Sequence, residues 1–328
     1  MRICVVGAGA IGGFLGTRLA LVQGAEVSAL ARGTTLVALR DHGWRLQEGG
    51  ELRQAPVANA VDDPRELGPQ DLLVIAVKSP ALPALAPTLR PLLTADTLVL
   101  PAMNGVPWWF GSGIEALGSQ PLESVDPGGA IAAALPLPRV VGCVVHAAVS
   151  TAAPGIAAHR MGRGLIIGEP AGGESPRVKA LVQLFSAAGF DACASARIRY
   201  DIWYKLWGNM TMNPVSALTG ATLDRVLDDE LVRRFCSAAM REAAAVGARI
   251  GCAVHESPED RHAVTRKLGA AKTSMLQDVE ALRPLELDAL VGAVREIGAR
   301  VGVATPYIDA LFGLTRLFGR VHGLYPPV

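Results

Sequence analysis

The run RICVVGAGAIGG at residues 2–13 constrains this chain more than any other stretch. A β-rich apolar segment leads into Gly7-x-Gly9-x-x-Gly12, and an apolar-periodic segment with helical spacing follows. Each glycine has a task. Gly7 makes the tight turn, Gly9 lets a pyrophosphate approach the backbone, and Gly12 allows a helix to pack closely on a strand. The helix N-terminus then offers oriented N–H groups to the phosphates. Strand before and helix after make Gly7, Ala8, Gly9, Ala10, Ile11 and Gly12 the expected dinucleotide cradle, in preference to a merely structural glycine turn.

The rest of the first half supports the same architecture. Strand-like runs recur at 2–6, 25–30, 72–77 and 97–101, separated by helical or turn-forming segments. Runs that are apolar throughout indicate strands covered on both faces, hence a parallel sheet with helices outside. Further strand-like runs stand at 140–149 and 164–168, followed by helical spacing at 176–189 and a short strand near 190–194. Beyond about Arg197 the character changes, with helical periodicity over 229–250, 286–301 and 306–320. The expectation is an α/β, doubly wound dinucleotide-binding domain over 1–196 and an all-α substrate domain over 197–328.

Composition excludes other classes. Of 328 residues, 50% are hydrophobic and 19% charged, which rules out a disordered chain. A net charge of +1 with interleaved signs gives no field for a polyanion or an anionic membrane, so neither nucleic acid nor a membrane is expected as partner. Arg2, the apolar stretch and Ala29-Leu30-Ala31 imitate a secretory signal, but the glycine motif accounts for them better. Five cysteines without CxxC or Cys/His pairing indicate small buried thiols in a reducing cytoplasm and no metal site. None of the six histidines falls in metal-ligand spacing, and none is assigned a catalytic part.

The second strand-like run ends Leu30-Ala31-Arg32. An NAD site usually carries an acid about 20 residues past the loop, to hold the ribose 2′-hydroxyl. A cation suits a 2′-phosphate instead, so Arg32 favours NADPH over NADH. A solvated surface arginine is the plain alternative.

Residues 200–214 read YDIWYKLWGNMTMNP, one lysine among four aromatics followed by two asparagines at four-residue spacing. On a helix, Lys205, Asn209 and Asn213 fall along one slowly drifting stripe. Taken singly, each has a bland explanation: a snorkelling lysine beside Trp203 and Trp207, and an Asn before Pro214 that ends a helix. Lys78 and Asn104 each follow an apolar strand, where an open α/β sheet presents ligand-binding groups.

With GAGAIGG at 7–13, Lys78, Asn104-Gly105, Lys205-x-x-x-Asn209-x-x-x-Asn213-Pro214, and Ser274-Met-Leu-Gln-Asp followed by Glu286, the chain resembles the ketopantoate reductases along nearly its whole length. The resemblance implies an N-terminal Rossmann domain and a helical domain like the C-terminal one of 6-phosphogluconate dehydrogenase. It implies NADPH-dependent reduction of a 2-oxo acid, with Lys205 as general acid and Glu286 as the acid that binds and orients substrate. It further implies that Asn209, Asn213 and Ser274 hold substrate and that Asn104 lies by both nicotinamide and substrate. Arg32 and Lys78 fall on the adenosine-phosphate side, and Glu286 also counts among the residues around the cofactor.

One departure stands out. After Asn104-Gly105 the chain runs VPWWFGSGIEALGSQPLESVDPGGAIAAALP, longer and more aromatic than the family pattern, and Trp108 and Trp109 could reshape the substrate pocket. A related reductase of another 2-oxo acid or ketone, or a non-catalytic dinucleotide sensor, therefore stays open. Trp203, Tyr204 and Trp207 are expected in interdomain packing. The apolar helical half could bury a homodimer face or pack on itself.

Overall fold

In the computed structural model, which describes residues 1–327, the apolar runs form a five-stranded parallel sheet. Its strands are β1 (Arg2–Val6), β2 (Glu26–Leu30), β5 (Ala60–Val61), β6 (Leu72–Ile75) and β7 (Leu98–Pro101), in the order β5-β2-β1-β6-β7. Ile3, Cys4, Val5 and Val6 are fully buried, as are the four residues of β6, which is why these segments are apolar at every position. Register places Val6 beside both Leu30 and Ile75, so the carboxyl ends of β1, β2 and β6 emerge together.

Helix α1 (Ala10–Leu19) is buried almost throughout, because a second sheet covers its other side. That sheet contains β3 (Trp44–Glu48), β4 (Glu51–Ala55), β8 (Gly142–Ala153), β9 (Ile156–Gly168) and β10 (Asp191–Ser195). Glycines on α1 make the approach feasible: a Cβ on Gly13 would lie 3.0 Å from that of Ala157, and one on Gly16 would strike the Trp44 ring at 2.5 Å. Arg18, buried on the same helix, pairs with Glu48, which also meets His159 Nδ1 at 2.9 Å and Arg53 Nε at 3.2 Å.

Two strand pairs here escape sequence reading in whole or in part. The β3–β4 hairpin turns at Gly49-Gly50, both at positive φ, but its residues are largely polar. The β8–β9 ribbon extends well past the apolar runs at 140–149 and 164–168 because its outer half is exposed and needs no apolar pattern. Among the cysteines, Cys193 on β10 is exposed, unlike the other four, because β10 alternates at the rim of this sheet.

The helical part comprises α6 (Ile198–Thr219), α7 (Leu223–Asp228), α8 (Glu230–Arg249), α9 (Pro258–Arg266), α10 (Ser274–Glu280), α11 (Ala293–Arg300) and α12 (Pro306–Val321), with α2 (Gly33–His42), α3 (Leu82–Leu85), α4 (Ala130–Ala134) and α5 (Pro176–Ala187) belonging to the sheet part. By packing, the chain divides into residues 1–103 with 130–201, and residues 104–129 with 202–328. The difference from the expected 1–196 and 197–328 lies mainly in the 104–129 segment, which packs with the helices. Glu296 of α11 accepts hydrogen bonds from the backbone of Glu123 and Ser124, both at 2.9 Å, and from the Ser124 hydroxyl at 2.6 Å. Arg300 donates to the carbonyls of Leu117, Gln120 and Pro121. Among the described residues, no helix is long and apolar enough to cross a membrane.

Candidate active site

The glycine loop has the geometry its sequence demands. Gly7 takes φ +94, and a Cβ there would lie 2.6 Å from Val77 Cγ1. A Cβ on Gly12 would overlap the Gly7 carbonyl oxygen at 1.9 Å, so helix and turn touch through backbone alone. Gly9 differs: nothing lies within 4 Å of its Cβ position, and it begins α1 without any side-chain cap. An uncapped helix start facing open space, beside two positions closed to any side chain, is a cradle that fits a dinucleotide's phosphates. A side chain at Gly9 would fill that space.

Arg32 follows β2 directly and is exposed at the start of α2. The β1–β2 register sets Leu30 beside Val6, and Gly7 N donates to Leu30 O at 2.9 Å, so the chain leaves β2 next to the glycine turn. Lys78 follows β6, half-buried, at the start of the 3₁₀ turn Ser79–Ala81. Thus Gly7–Gly12, Arg32 and Lys78 share one end of the sheet.

In the helical unit, Lys205 and Asn104 meet although 101 positions separate them: Lys205 Nζ donates to Asn104 Oδ1 at 2.8 Å. Lys205, Asn209 and Asn213 fall at helical four-residue spacing on α6. Asn213 Nδ2 donates to Ser274 Oγ at 3.4 Å, a long contact that joins α6 to the first turn of α10. Thr273 caps α10, accepting from Leu276 N at 3.2 Å, and so fixes where Ser274 points.

The expectation that Pro214 ends the helix at Asn213 is corrected. Helix α6 runs on to Thr219 with Pro214 inside it. Met212, Asn213 and Val215 are all buried, and packing outweighs the loss of one backbone donor. Asn213 therefore keeps the helical direction that the stripe requires.

Glu286 is 5% exposed and lies just before a π-helical turn, Asp288–Gly292, that leads into α11. Backbone contacts tie this turn to Asn104: Val106 N donates to Ala289 O at 2.8 Å, and Gly105, at φ +83, leaves no room for a Cβ, which would lie 2.5 Å from that oxygen. Leu290 N donates to Glu286 O at 3.2 Å. Asn104, Lys205 and the Glu286 segment are thus linked through one short set of bonds. Sequence reading missed Ala289, which acts only through its carbonyl. The requirement for glycine at 105 was the one available signal.

The aromatic residues serve packing inside the helical unit. Trp109 and Phe110 are buried, and the Phe110 ring stacks on Trp203 at 5.9 Å. Trp207 Nε1 donates to Met240 O at 2.7 Å, and Trp203 lies against Gly247. Trp203 and Trp207 thus pack within the helical unit, and Trp108 and Trp109 are buried.

Comparison with known proteins shows what the chain is similar to. The family model described as Ketopantoate reductase PanE/ApbA matches residues 3–172, and its C-terminal counterpart matches residues 197–318. A 2-dehydropantoate 2-reductase of Mesorhizobium japonicum is 43% identical over 326 residues, covering 99% of this chain and 100% of that protein. A Ralstonia solanacearum crystal structure, provisionally named a ketopantoate reductase, is 56% identical with a TM-score of 0.94 and 99% coverage of both chains. The ternary structure of D-mandelate dehydrogenase with NADH and anilino(oxo)acetate shares the fold, with a TM-score of 0.85 at 22% identity over 99% of this chain and 100% of that one.

Proposed function

We propose that this chain, which belongs to the ketopantoate reductase family, reduces 2-dehydropantoate to pantoate with NADPH, a step in pantothenate and coenzyme A synthesis. The observation that carries the reading is the Lys205 Nζ–Asn104 Oδ1 bond of 2.8 Å, which ties the ammonium to the Asn104 carboxamide. A nicotinamide cofactor held by the glycine loop, Arg32 and Lys78 would supply hydride to the keto carbon, leaving negative charge on the carbonyl oxygen. Lys205 stabilises that charge and gives it a proton, and solvent later returns one to the amine. A positioned general acid contributes roughly 10²–10⁴ in rate, about 3–5.5 kcal/mol.

The remaining residues take the roles that the family resemblance implies. Asn209, Asn213 and Ser274 offer neutral donors and acceptors to a polar 2-oxo acid, and Glu286 accepts from its hydroxyl. Asn104 fixes Lys205 and lies by the nicotinamide. The glycine loop takes the pyrophosphate, while Arg32 and Lys78 take the adenosine phosphate, which selects NADPH. In domain terms, residues 1–196 apart from 104–129 bind the dinucleotide, and 197–328 together with 104–129 carry substrate chemistry.

The test is NADPH oxidation, followed by absorbance, across a panel of 2-oxo acids. The highest kcat/KM is expected with 2-dehydropantoate. Preference for another acid would overturn the substrate, and cofactor binding without any turnover would favour a sensor.

A further inference from the structure

Residues 324–326 grip the segment that carries Glu286. Helix α12 stops at Val321, Gly323 turns at φ +68, and the tail doubles back, with Leu324 N donating to Gly319 O at 2.7 Å. Leu285 N donates to Leu324 O at 2.9 Å, and the Tyr325 hydroxyl donates to Asp288 Oδ1 at 2.7 Å. Two successive tail residues therefore hold positions on either side of Glu286. Gly319 permits the approach, since a Cβ there would lie 2.8 Å from that of Tyr325 and 3.4 Å from Leu285 Cδ1. Arg320 covers the Tyr325 ring at 5.9 Å and donates to Pro326 O at 3.2 Å.

The grip extends further along the chain. Asp288 opens the π-helical turn, and its neighbour Ala289 holds Val106, two residues from Asn104. Burial raises the Asp288 carboxyl above its ordinary pKa, and the same burial with the facing carboxyl raises that of Tyr325. The pair is thus a partly desolvated hydrogen bond, which resists exchange for water. Wider π turns are frequent at functional sites.

We propose that Tyr325 and Asp288 are a positioning pair: their hydrogen bond locks residues 285–289, and through them Glu286 and the Asn104 loop, in the arrangement that receives substrate. The inference rests on the reading of Glu286 and Asn104 as substrate-holding groups. The test compares Tyr325→Phe, Asp288→Ala, their double variant and Asp288→Asn in the full chain. Hydrogen exchange at the Leu285 and Val106 amides needs no substrate, while KM and kcat are read with the 2-oxo acid the parent turns over best.

Tyr325→Phe and Asp288→Ala are each expected to speed exchange at both amides and raise KM about five- to tenfold, the scale of one lost hydrogen bond, with kcat and the unfolding midpoint little changed. The double variant should be no worse than either, and Asp288→Asn, which keeps an acceptor oxygen, should match the parent. Parent-like exchange at Val106 in Tyr325→Phe overturns the proposal, as do additive losses in the double variant or a KM rise that tracks lost stability. If the parent turns over no 2-oxo acid, the assigned reaction falls, and exchange at Val106 still decides the tether.

Discussion

Replacing Gly105 with alanine perturbs the link between Asn104 and the Glu286 segment at its tightest point. Gly105 sits at φ +83, and a Cβ there would lie 2.5 Å from Ala289 O and 2.8 Å from Ala289 Cβ. The left-handed conformation costs an L-residue about 1–2 kcal/mol. Relieving the overlap must stretch or break the 2.8 Å Val106 N–H bond to Ala289 O, a net loss of about 0.5–1.5 kcal/mol. Overpacking adds about 1–3 kcal/mol. The expected destabilisation is about 3–6 kcal/mol, a large share of the ~5–15 kcal/mol that holds a typical domain. Gly113→Ala is the matched control, because Gly113 lies at φ +78 with nothing within 4 Å and incurs only the conformational cost. Urea unfolding reads stability, and NADPH oxidation reads kcat/KM, which should fall by about 10² when Asn104 and Lys205 shift by an ångström. If Gly105→Ala behaves like Gly113→Ala in both assays, the Ala289 contact does not position the site.

Two further outcomes are expected. Arg32→Ala should raise KM for NADPH about tenfold or more, the worth of a charge-assisted phosphate contact, and leave KM for NADH nearly unchanged; equal effects on both cofactors would remove Arg32 from the 2′-phosphate. The hydrogen bond from Arg177 holds the Glu169 carboxyl below its ordinary 4.5, with the Ser175 hydroxyl adding to it. Its stabilising contribution is therefore full above pH 4.5 and lost as pH falls through the depressed folded value, so Glu169→Gln should flatten the acid limb of thermal stability, and an unchanged limb would contradict this.

What the sequence could convey follows the range of each interaction. Gly7, Gly9 and Gly12 are legible because their constraints are local, between neighbours in one turn. Runs such as ICVV at 3–6 and LLVI at 72–75 are legible because burial on both faces demands apolar residues at each position. The β3–β4 hairpin was not, since its polar residues satisfy a sheet whose outer face is wet. The Lys205 stripe showed through helical spacing, whereas the passage of α6 through Pro214 did not: local rules favour a stop, and tertiary burial overrides them. The attachment of 104–129 to the helical unit rests on Glu296, Arg300 and Ala289, partners more than 170 positions away. The Tyr325 tail is likewise silent in sequence, a lone aromatic near a terminus.

The central claim is that Lys205 protonates the oxygen formed when a 2-oxo acid accepts hydride from NADPH. The direct measurement is kcat for 2-dehydropantoate in the parent and in Lys205→Ala, with NADPH affinity measured separately by fluorescence. The account predicts a loss of roughly a hundredfold or more in kcat with cofactor affinity retained. A Lys205→Ala enzyme that keeps parental kcat would contradict it.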